Sequence, residues 1–243
     1  MCPIIDSLYL KNELYKTRNE AARMSSARAY TPALGLRVLT PLYDTAIALL
    51  TRESIWRSAL VRAIGLKAGE RILDVGCGTG SLGVLLAKQV PGSGVIGIDP
   101  DPDVLRQARA KASRHGVNVG FHEGFLSKAF LESHAPFDVI TSSLVLHQVP
   151  LEEKYEILTM IRTGLKPGGR ICIADYGLQR TPLMRFLFRR TVQTLDGVAG
   201  TQLNAEGLLP VIIRRAGFAN ADEVKVIPTP TGSISIYLGR TDC

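Results

Sequence analysis

Asp74-Val-Gly-Cys-Gly-Thr-Gly80 places an acid and three glycines directly after an apolar run, Arg71 to Val75, and directly before a helical pattern, Ser81 to Val90. At a strand-to-helix turn, glycine lets the backbone approach a ligand while the first free amides of the helix face it. Asp99 closes the next apolar run, 19 residues after Gly80, where a carboxylate can accept both hydroxyls of a ribose. Together these residues point to an adenosine-containing cofactor. Gly78-Thr-Gly80-Ser-Leu-Gly83 also fits the GxGxxG dinucleotide pattern, a weak match when it stands alone. Asp74 argues against a dinucleotide: its carboxylate would repel a pyrophosphate but suits a ligand carrying an ammonium and a sulfonium.

Other residues could move or hold a proton. His147, in Ser142-Ser-Leu-Val-Leu-His-Gln-Val-Pro150, titrates near neutral pH and could take a proton from a phenol or enol. Its plainer reading is a cap for the next helix or a pocket wall. Tyr176, in Ala174-Asp-Tyr176, could orient a polar acceptor or simply cover it. Asp138 opens its apolar run, far from the edge where a site would form, and reads as structural. Asp175 reads as a partner for nearby backbone or an arginine. His115, His122 and His134 lack metal-ligand spacing, so no metal is expected. Cys2, Cys77, Cys172 and Cys243 form no CxxC pair and read as free thiols.

These residues are positioned by an alternation of short and long apolar patterns. Arg71–Val75, Gly94–Ile98, Val117–Phe121, Phe137–Thr141 and Arg170–Ala174 read as buried parallel strands. Ser81–Val90, Asp103–His115, Leu126–Ser133 and Leu151–Gly164 read as the helices between them. Such an order predicts an α/β, doubly wound, mostly parallel sheet with the loops that follow its strands along one edge. Further on, Thr181–Val198 reads as one helix and Ala205–Ala216 as another. Glu223–Ile227 and Ser233–Leu238 flank a five-residue loop and read as an antiparallel hairpin, giving seven strands in all. The hairpin stands where a dinucleotide fold would need its second mononucleotide half.

Upstream, Asp44–Ile64 carries helical spacing, residues 1–30 read as an arm, and Met24 before Ser25-Ser26 is a second candidate start. The chain has 243 residues, 46% of them apolar, and 29 Lys and Arg against 22 Asp and Glu, for a formal charge of +7. This composition excludes disorder, collagen and a small disulfide scaffold, and leaves one large domain with an appendage. No run of about 18 apolar residues exists to span a membrane, and charges interrupt the N-terminus where a signal peptide needs an apolar stretch, so the chain is expected in the cytoplasm.

Asp74-Val-Gly-Cys-Gly-Thr-Gly80, Asp99, Phe137-Asp-Val-Ile140 and Leu165-Lys-Pro-Gly-Gly-Arg170, in this order, resemble the class I S-adenosylmethionine-dependent methyltransferases. Leu42-Tyr-Asp44, Trp56-Arg57 leading to Gly65-Leu-Lys-Ala-Gly-Glu70, and Thr231-Gly-Ser-Ile-Ser-Ile236 are most similar to the ubiquinone/menaquinone C-methyltransferase branch. The resemblance covers about residues 40 to 240. It implies a Rossmann-like methyltransferase domain over residues 31–243, with a helical cover over 31–65 and a lid over 178–204. It also implies S-adenosyl-L-methionine as cofactor. Asp74, Gly76, Cys77, Gly78 and Gly80 would line its methionine portion, Asp99 would bind the ribose, Pro100 and Asp101 would flank the adenine, and Ser142 would complete the site. Where the family often has an acid for the adenine amino group, this chain has Glu123-Gly124-Phe125. The contact then falls to the Phe125 amide and ring. Tyr43 would be a lid residue over the cofactor, and a weaker candidate base.

The implied activity is methyl transfer to a small, hydrophobic acceptor at C, O, N or S by in-line displacement. The alternatives are a non-catalytic cofactor-binding regulator, an NAD-dependent dehydrogenase and an RNA methyltransferase. The last is disfavoured because Ser142-Ser-Leu-Val145 stands where base-amino enzymes carry Asn/Asp-Pro-Pro-aromatic. Four arginines without an acid, interleaved with Leu183, Met184, Phe186, Leu187 and Phe188, lie between Arg180 and Arg190. They read as a solvated face, as part of a pocket for a lipid-soluble acceptor, or as a contact with an anionic membrane.

Overall fold

In β1 (Arg71–Val75), Ile72 and Leu73 are both fully buried although they point to opposite faces, as a central strand covered on both sides requires. The computed structural model describes residues 51–241. The expected arm over 1–30, the first part of the helical cover and Tyr43 lie outside the described residues. β1 pairs in parallel with β2 (Gly94–Asp99) on one side and β4 (Phe137–Ser143) on the other. β3 (Gly120–Glu123) and β5 (Leu165–Tyr176) extend the parallel sheet outward. β7 (Gly232–Arg240) runs antiparallel to β5, and β6 (Ala219–Thr229) antiparallel to β7, giving the order β3-β2-β1-β4-β5-β7-β6. The doubly wound expectation is met. The strand order reverses between β1 and β4, where open α/β sheets form a ligand crevice.

Alternation along the strands sorts the core into two layers. Leu73, Ile171 and Ile173 join one cluster with Leu158 and Ile161 of α5 (Leu151–Gly164) and Ile212 and Ile213 of α9 (Leu209–Arg215). Ile72, Cys172 and Ala174 join the other with Trp56, Leu60 and Ile64 of α1 (Glu53–Ile64) and Leu82 and Leu86 of α2 (Ser81–Gln89). Trp56, Leu60 and Ile64 recur every four residues, so one stripe of α1 is buried; truncating Trp56 to Ala would cost about 3–5 kcal/mol. Arg170 fixes the lower end of α1: its guanidinium pairs with both oxygens of Glu70 at 2.8 Å while Nε donates to the Ile64 carbonyl at 2.8 Å. A bidentate pair of this kind also satisfies a carbonyl that the helix end leaves open. Asp138 has the structural role expected of it, accepting from the Arg71 amide at 2.8 Å and from Lys166 Nζ at 2.7 Å.

Four expectations are corrected. The helix read over Thr181–Val198 is broken into α6 (Pro182–Arg190), α7 (Val192–Asp196) and the start of α8 (Val198–Ala205). The breaks fall at Thr191, whose hydroxyl donates to the Leu187 carbonyl at 2.7 Å, and at Gly197 with φ 79°. The helix expected from Ala205 begins only at Leu209, because Gly207 with φ 78° separates it from α8. The hairpin loop is shorter than five residues: Thr229 pairs with Gly232, leaving Pro230-Thr231 as the turn. Pro228 is tolerated inside β6 because that strand is at the sheet edge. β3 also lies slightly later than read, and α3 (Pro102–Arg114) and α4 (Lys128–His134) complete the helices.

Candidate active site

The loop after β1 is held by backbone bonds and shaped by glycine. The Gly76 and Cys77 amides donate to the Ile98 carbonyl at 2.9 and 3.1 Å, so the loop is anchored on β2. Gly76 has φ 69°, and a Cβ there would collide with the Val145 side chain, so only glycine lets the loops after β1 and β4 meet. Gly78 has φ 51°, yet a Cβ there would meet nothing within 4 Å, so its open side faces free space rather than protein. Its amide donates to Asp99 Oδ2 at 2.8 Å, while Asp99 Oδ1 accepts from the Asp101 amide at 3.0 Å. The carboxylate is thereby oriented with lone pairs to spare. Lys111 of α3 reaches back to the Thr79 and Ser81 hydroxyls at 2.9 and 2.6 Å and braces the loop from behind, a role that sequence reading missed.

Asp74 is fully buried. Oδ1 accepts from the Thr141 hydroxyl at 2.9 Å, across the register in which Asp74 pairs with Thr141, and Oδ2 has no hydrogen-bond partner among the described residues. Burial pushes its carboxyl up to about 7, against the opposing effects of Thr141 and Arg57. An acceptor oxygen held in the interior with nothing to accept from is costly unless a ligand supplies the donor. The aminoacyl ammonium of S-adenosylmethionine is such a donor, so the residues present fit that cofactor.

The remaining sequence candidates fall at the same edge with different engagements. Gly80 has φ 71°, a Cβ there would press on Ala108 and Phe121, and its amide donates to the Cys77 carbonyl. The Cys77 thiol turns inward against Gly97, and burial raises its pKa, so it packs rather than reacts. Pro100 leads into Asp101, which caps α3 by accepting from the Asp103 amide at 2.8 Å. The Gly124 amide donates to the Asp99 carbonyl at 3.0 Å, and Phe125 follows with 62% of its surface exposed. The Ser142 hydroxyl is engaged within the sheet on the Val75 carbonyl at 3.0 Å.

After β4, a second polar group closes on itself. His147 is buried at 3% exposure, in a 3₁₀ turn over Leu146–Gln148, with Nδ1 2.7 Å from Asp175 Oδ1. Among the described residues Asp175 pairs with backbone, as one of its two expected roles had it, and not with an arginine. It accepts from the Leu146, His147 and Tyr176 amides, which fix both its oxygens. On the other side of the ring, Nε2 forms an ion pair with Asp196 of α7 at 3.4 Å. Burial opposes a charge on the imidazole, but Asp175 and Asp196 outweigh it and hold the pKa up to about 9. Lys154 of α5, also fully buried, donates to the Gly200 carbonyl at 2.8 Å and to the Val149 carbonyl. Burial lowers its pKa to about 8, with Asp175 opposing. The Tyr176 hydroxyl shares a 2.9 Å bond with Thr231 Oγ1, and its ring meets His147 edge-on at 5.0 Å and Phe188 of α6 at 5.2 Å. Asn204 of α8 donates to the Tyr176 carbonyl at 3.1 Å. The segment from α6 to α8 is thus tied to the strand ends by groups from β5, the turn after β4, α5, α7 and α8. Asp196 and Lys154 carried no sequence signal, since each reads as an ordinary solvated helix charge.

Residues 66–204 match the family described as a methyltransferase domain. The chain belongs to the class I S-adenosylmethionine-dependent methyltransferases. It is 31% identical over 183 residues to demethylmenaquinone methyltransferase of Thermus thermophilus, covering 71% of this chain and 80% of that protein. It is 38% identical over 122 residues to ribosomal protein L11 methyltransferase of Thermus thermophilus, covering 49% of this chain but only 44% of that protein. An O-methyltransferase family protein from Burkholderia thailandensis shares the fold, with a TM-score of 0.70 at 19% identity over 99% of this chain and 71% of that one. Within the superfamily this methyltransferase lies in the ubiquinone/menaquinone C-methyltransferase-like branch. It is an enzyme that uses S-adenosyl-L-methionine. The dehydrogenase and non-catalytic alternatives fall with that assignment.

Proposed function

We propose that the acceptor is a small hydrophobic molecule with an ionisable ring hydroxyl, of the quinol type, and that His147 takes up its proton. The observation that carries this reading is the burial of His147 between two carboxylates at the exit of β4, beside the strand-order reversal. The name of the Thermus relative, a demethylmenaquinone methyltransferase, supports the acceptor class. The cofactor, when bound, supplies a methyl group already activated for displacement by its sulfonium. The chain's own residues align the partners, exclude water and manage a proton. Asp175 holds the imidazole by Nδ1, which leaves Nε2 as the atom that accepts the acceptor's proton. Asp196 occupies that direction and keeps the ring protonated below pH of about 9, so the acceptor must displace it. Turnover with a soluble quinol should therefore rise as pH goes from 7 to 9, and the rise should vanish in His147→Gln. A rate independent of pH over that range would refute proton uptake by His147.

The same reading extends to where the acceptor comes from. Of the four arginines around α6, Arg180 pairs with Glu223, and Arg185 donates to the Gln179 and Arg180 carbonyls at 3.1 Å. Arg189 and Arg190 remain exposed beside Leu183 and Phe186, which are 64% and 55% exposed, with the Arg190 guanidinium 5.6 Å over the Phe186 ring. An apolar ridge flanked by arginine suits an anionic lipid surface, and each cation near such a surface contributes about 1 kcal/mol. No helix among the described residues is long and apolar enough to cross a membrane. Sedimentation with phosphatidylserine vesicles should carry the protein down, and Leu183→Ser with Phe186→Ser should release it. Equal sedimentation of that double variant would refute the contact.

A further inference from the structure

Lys154 is fully buried, which a lysine almost never is without partners. It stands in the first turn of α5, where the helix dipole disfavours a cation. Packing does not require an ammonium there either, since an apolar chain of similar length fills the volume without taking a charge out of water. What the ammonium holds explains its place.

The side chain folds back over the start of α5. Nζ donates to the Val149 carbonyl, directly after the 3₁₀ turn that carries His147, and to the Gly200 carbonyl of α8 at 2.8 Å. Burial opposes the charge, while Asp175 and Glu153 favour it. The two carbonyls belong to segments that touch: a Cβ on Gly200 would lie 2.7 Å from the His147 carbonyl oxygen and 3.1 Å from the Gln148 carbonyl carbon. Glycine inside a helix costs about 1 kcal/mol relative to alanine, and here it lets the backbone of α8 rest on the turn. Lys154 then ties both backbones together from a third element.

Both partners of the imidazole depend on this junction. The turn sets the ring, because the Leu146 and His147 amides and Nδ1 all engage Asp175. α8 sets the group on the other side, because only Gly197 separates it from Asp196, whose carboxylate lies 3.4 Å from Nε2. Freeing the Val149 and Gly200 carbonyls would loosen ring and carboxylate together, while the glycine loop keeps its own backbone bonds to β2.

We propose that Lys154 is a positioning residue, which fixes the His147 ring and Asp196 relative to one another for proton transfer at Nε2. The inference rests on the reading of His147 as the proton acceptor and adds the group that holds it in place.

Proton NMR and steady-state kinetics on the full chain test this. At a pH of about 6, below the titration of the ring, the Nδ1 proton on the short bond to Asp175 should give the wild type a resonance downfield of the amide region. The resonance should be missing from His147→Gln. Lys154→Met should broaden or abolish it through exchange with water. That variant should also lower kcat with a soluble quinol by about tenfold to hundredfold, the range that a misplacement of up to about 1 Å produces. Its dissociation constant for S-adenosylhomocysteine should stay within about twofold of the wild type. Lys154→Arg, which keeps the charge and its donors, should recover part of both losses. Gly200→Ala pushes α8 off the turn without touching the lysine, so it should reproduce both effects, and it decides alone if Lys154→Met fails to fold. Combining the two substitutions should cost less than the product of their separate losses. A wild type without the resonance overturns the inference, as does a Lys154→Met that melts earlier but keeps the resonance and the wild-type kcat. A parallel loss of S-adenosylhomocysteine affinity also overturns it, by making Lys154 a support for the whole strand edge. Failure of the proton-uptake reading looks different: His147→Gln would turn over like the wild type while Lys154→Met still lost the resonance.

Discussion

The donor side of the site, after β1 and β2, and the acceptor side, after β4 and β5, use buried charge in opposite ways. On the donor side, Asp74 keeps an oxygen unpaired and Gly78 keeps an open face, so the site is ready to receive a ligand. On the proposed acceptor side, His147, Asp175, Asp196 and Lys154 satisfy one another and nearby carbonyls, so the α7 and α8 segment is held to the strand ends from within. On the proposed function, the difference means that one ligand would bind by filling vacancies and the other by competing for partners already in place. A site of the first kind is tight and preformed; one of the second kind opens only for a molecule that can replace what it breaks.

The contrast can be broken most sharply at His147. His147→Gln should lower turnover by about 10³-fold while leaving the affinity for S-adenosylhomocysteine within twofold, as measured by steady-state kinetics and calorimetry. A parallel loss of cofactor affinity would merge the two halves into one. On the donor side, Asp99→Ala should weaken S-adenosylhomocysteine by about 10²-fold, because two hydrogen bonds to a charged group disappear together with the brace on the Gly78 amide. An unchanged dissociation constant would remove Asp99 from the ribose.

Smaller effects sharpen the comparison. Asp196→Asn should lower the pKa of His147 and raise turnover at pH 7 several-fold, moving the pH profile to lower values; a profile that stays put would detach α7 from the imidazole. Because the folded pKa of His147 lies above its value in an unfolded chain, its stabilising contribution is full below about pH 6.5 and is lost as pH rises through about 9. The melting temperature should therefore fall between pH 7 and 10 by more in the wild type than in His147→Gln. Lys154→Met, which leaves the Val149 and Gly200 carbonyls without a donor, should lower the melting temperature by about 5 °C and change cofactor affinity little.

The two halves also differed in how far the sequence disclosed them. Gly76, Gly78 and Gly80 have positive φ and Asp99 accepts from backbone amides, all inside a segment of 26 residues that starts at Asp74, so type and spacing were sufficient to single out this segment as the candidate donor side. The proposed acceptor side draws on residues from His147 to Asp196 that meet only in three dimensions. His147 and Tyr176 could be singled out as candidates by their places after strands, whereas Lys154 and Asp196, which pack beside them, could not be told from surface charges. The fold was legible wherever apolar runs ended at glycine, proline or aspartate. It was misread in the lid, where apolar residues continue through the breaks at Thr191 and Gly197, and in the hairpin, where Pro228 belongs to an edge strand rather than the turn. The pair Glu70 and Arg170 stood out only as family words, and the structure makes them the clamp at the foot of α1.

The buried Asp74 carboxyl has a thermochemical consequence. With a pKa near 7 before the ligand arrives, a substantial fraction of molecules carries a proton there at neutral pH. An incoming ammonium favours the ionised form and expels that proton to the buffer. The heat of cofactor binding should then depend on the ionisation enthalpy of the buffer, differing between phosphate and Tris at the same pH. The slope of that dependence counts the protons released, tending toward one per ligand below pH 7 and toward zero well above it, and it should vanish in Asp74→Asn.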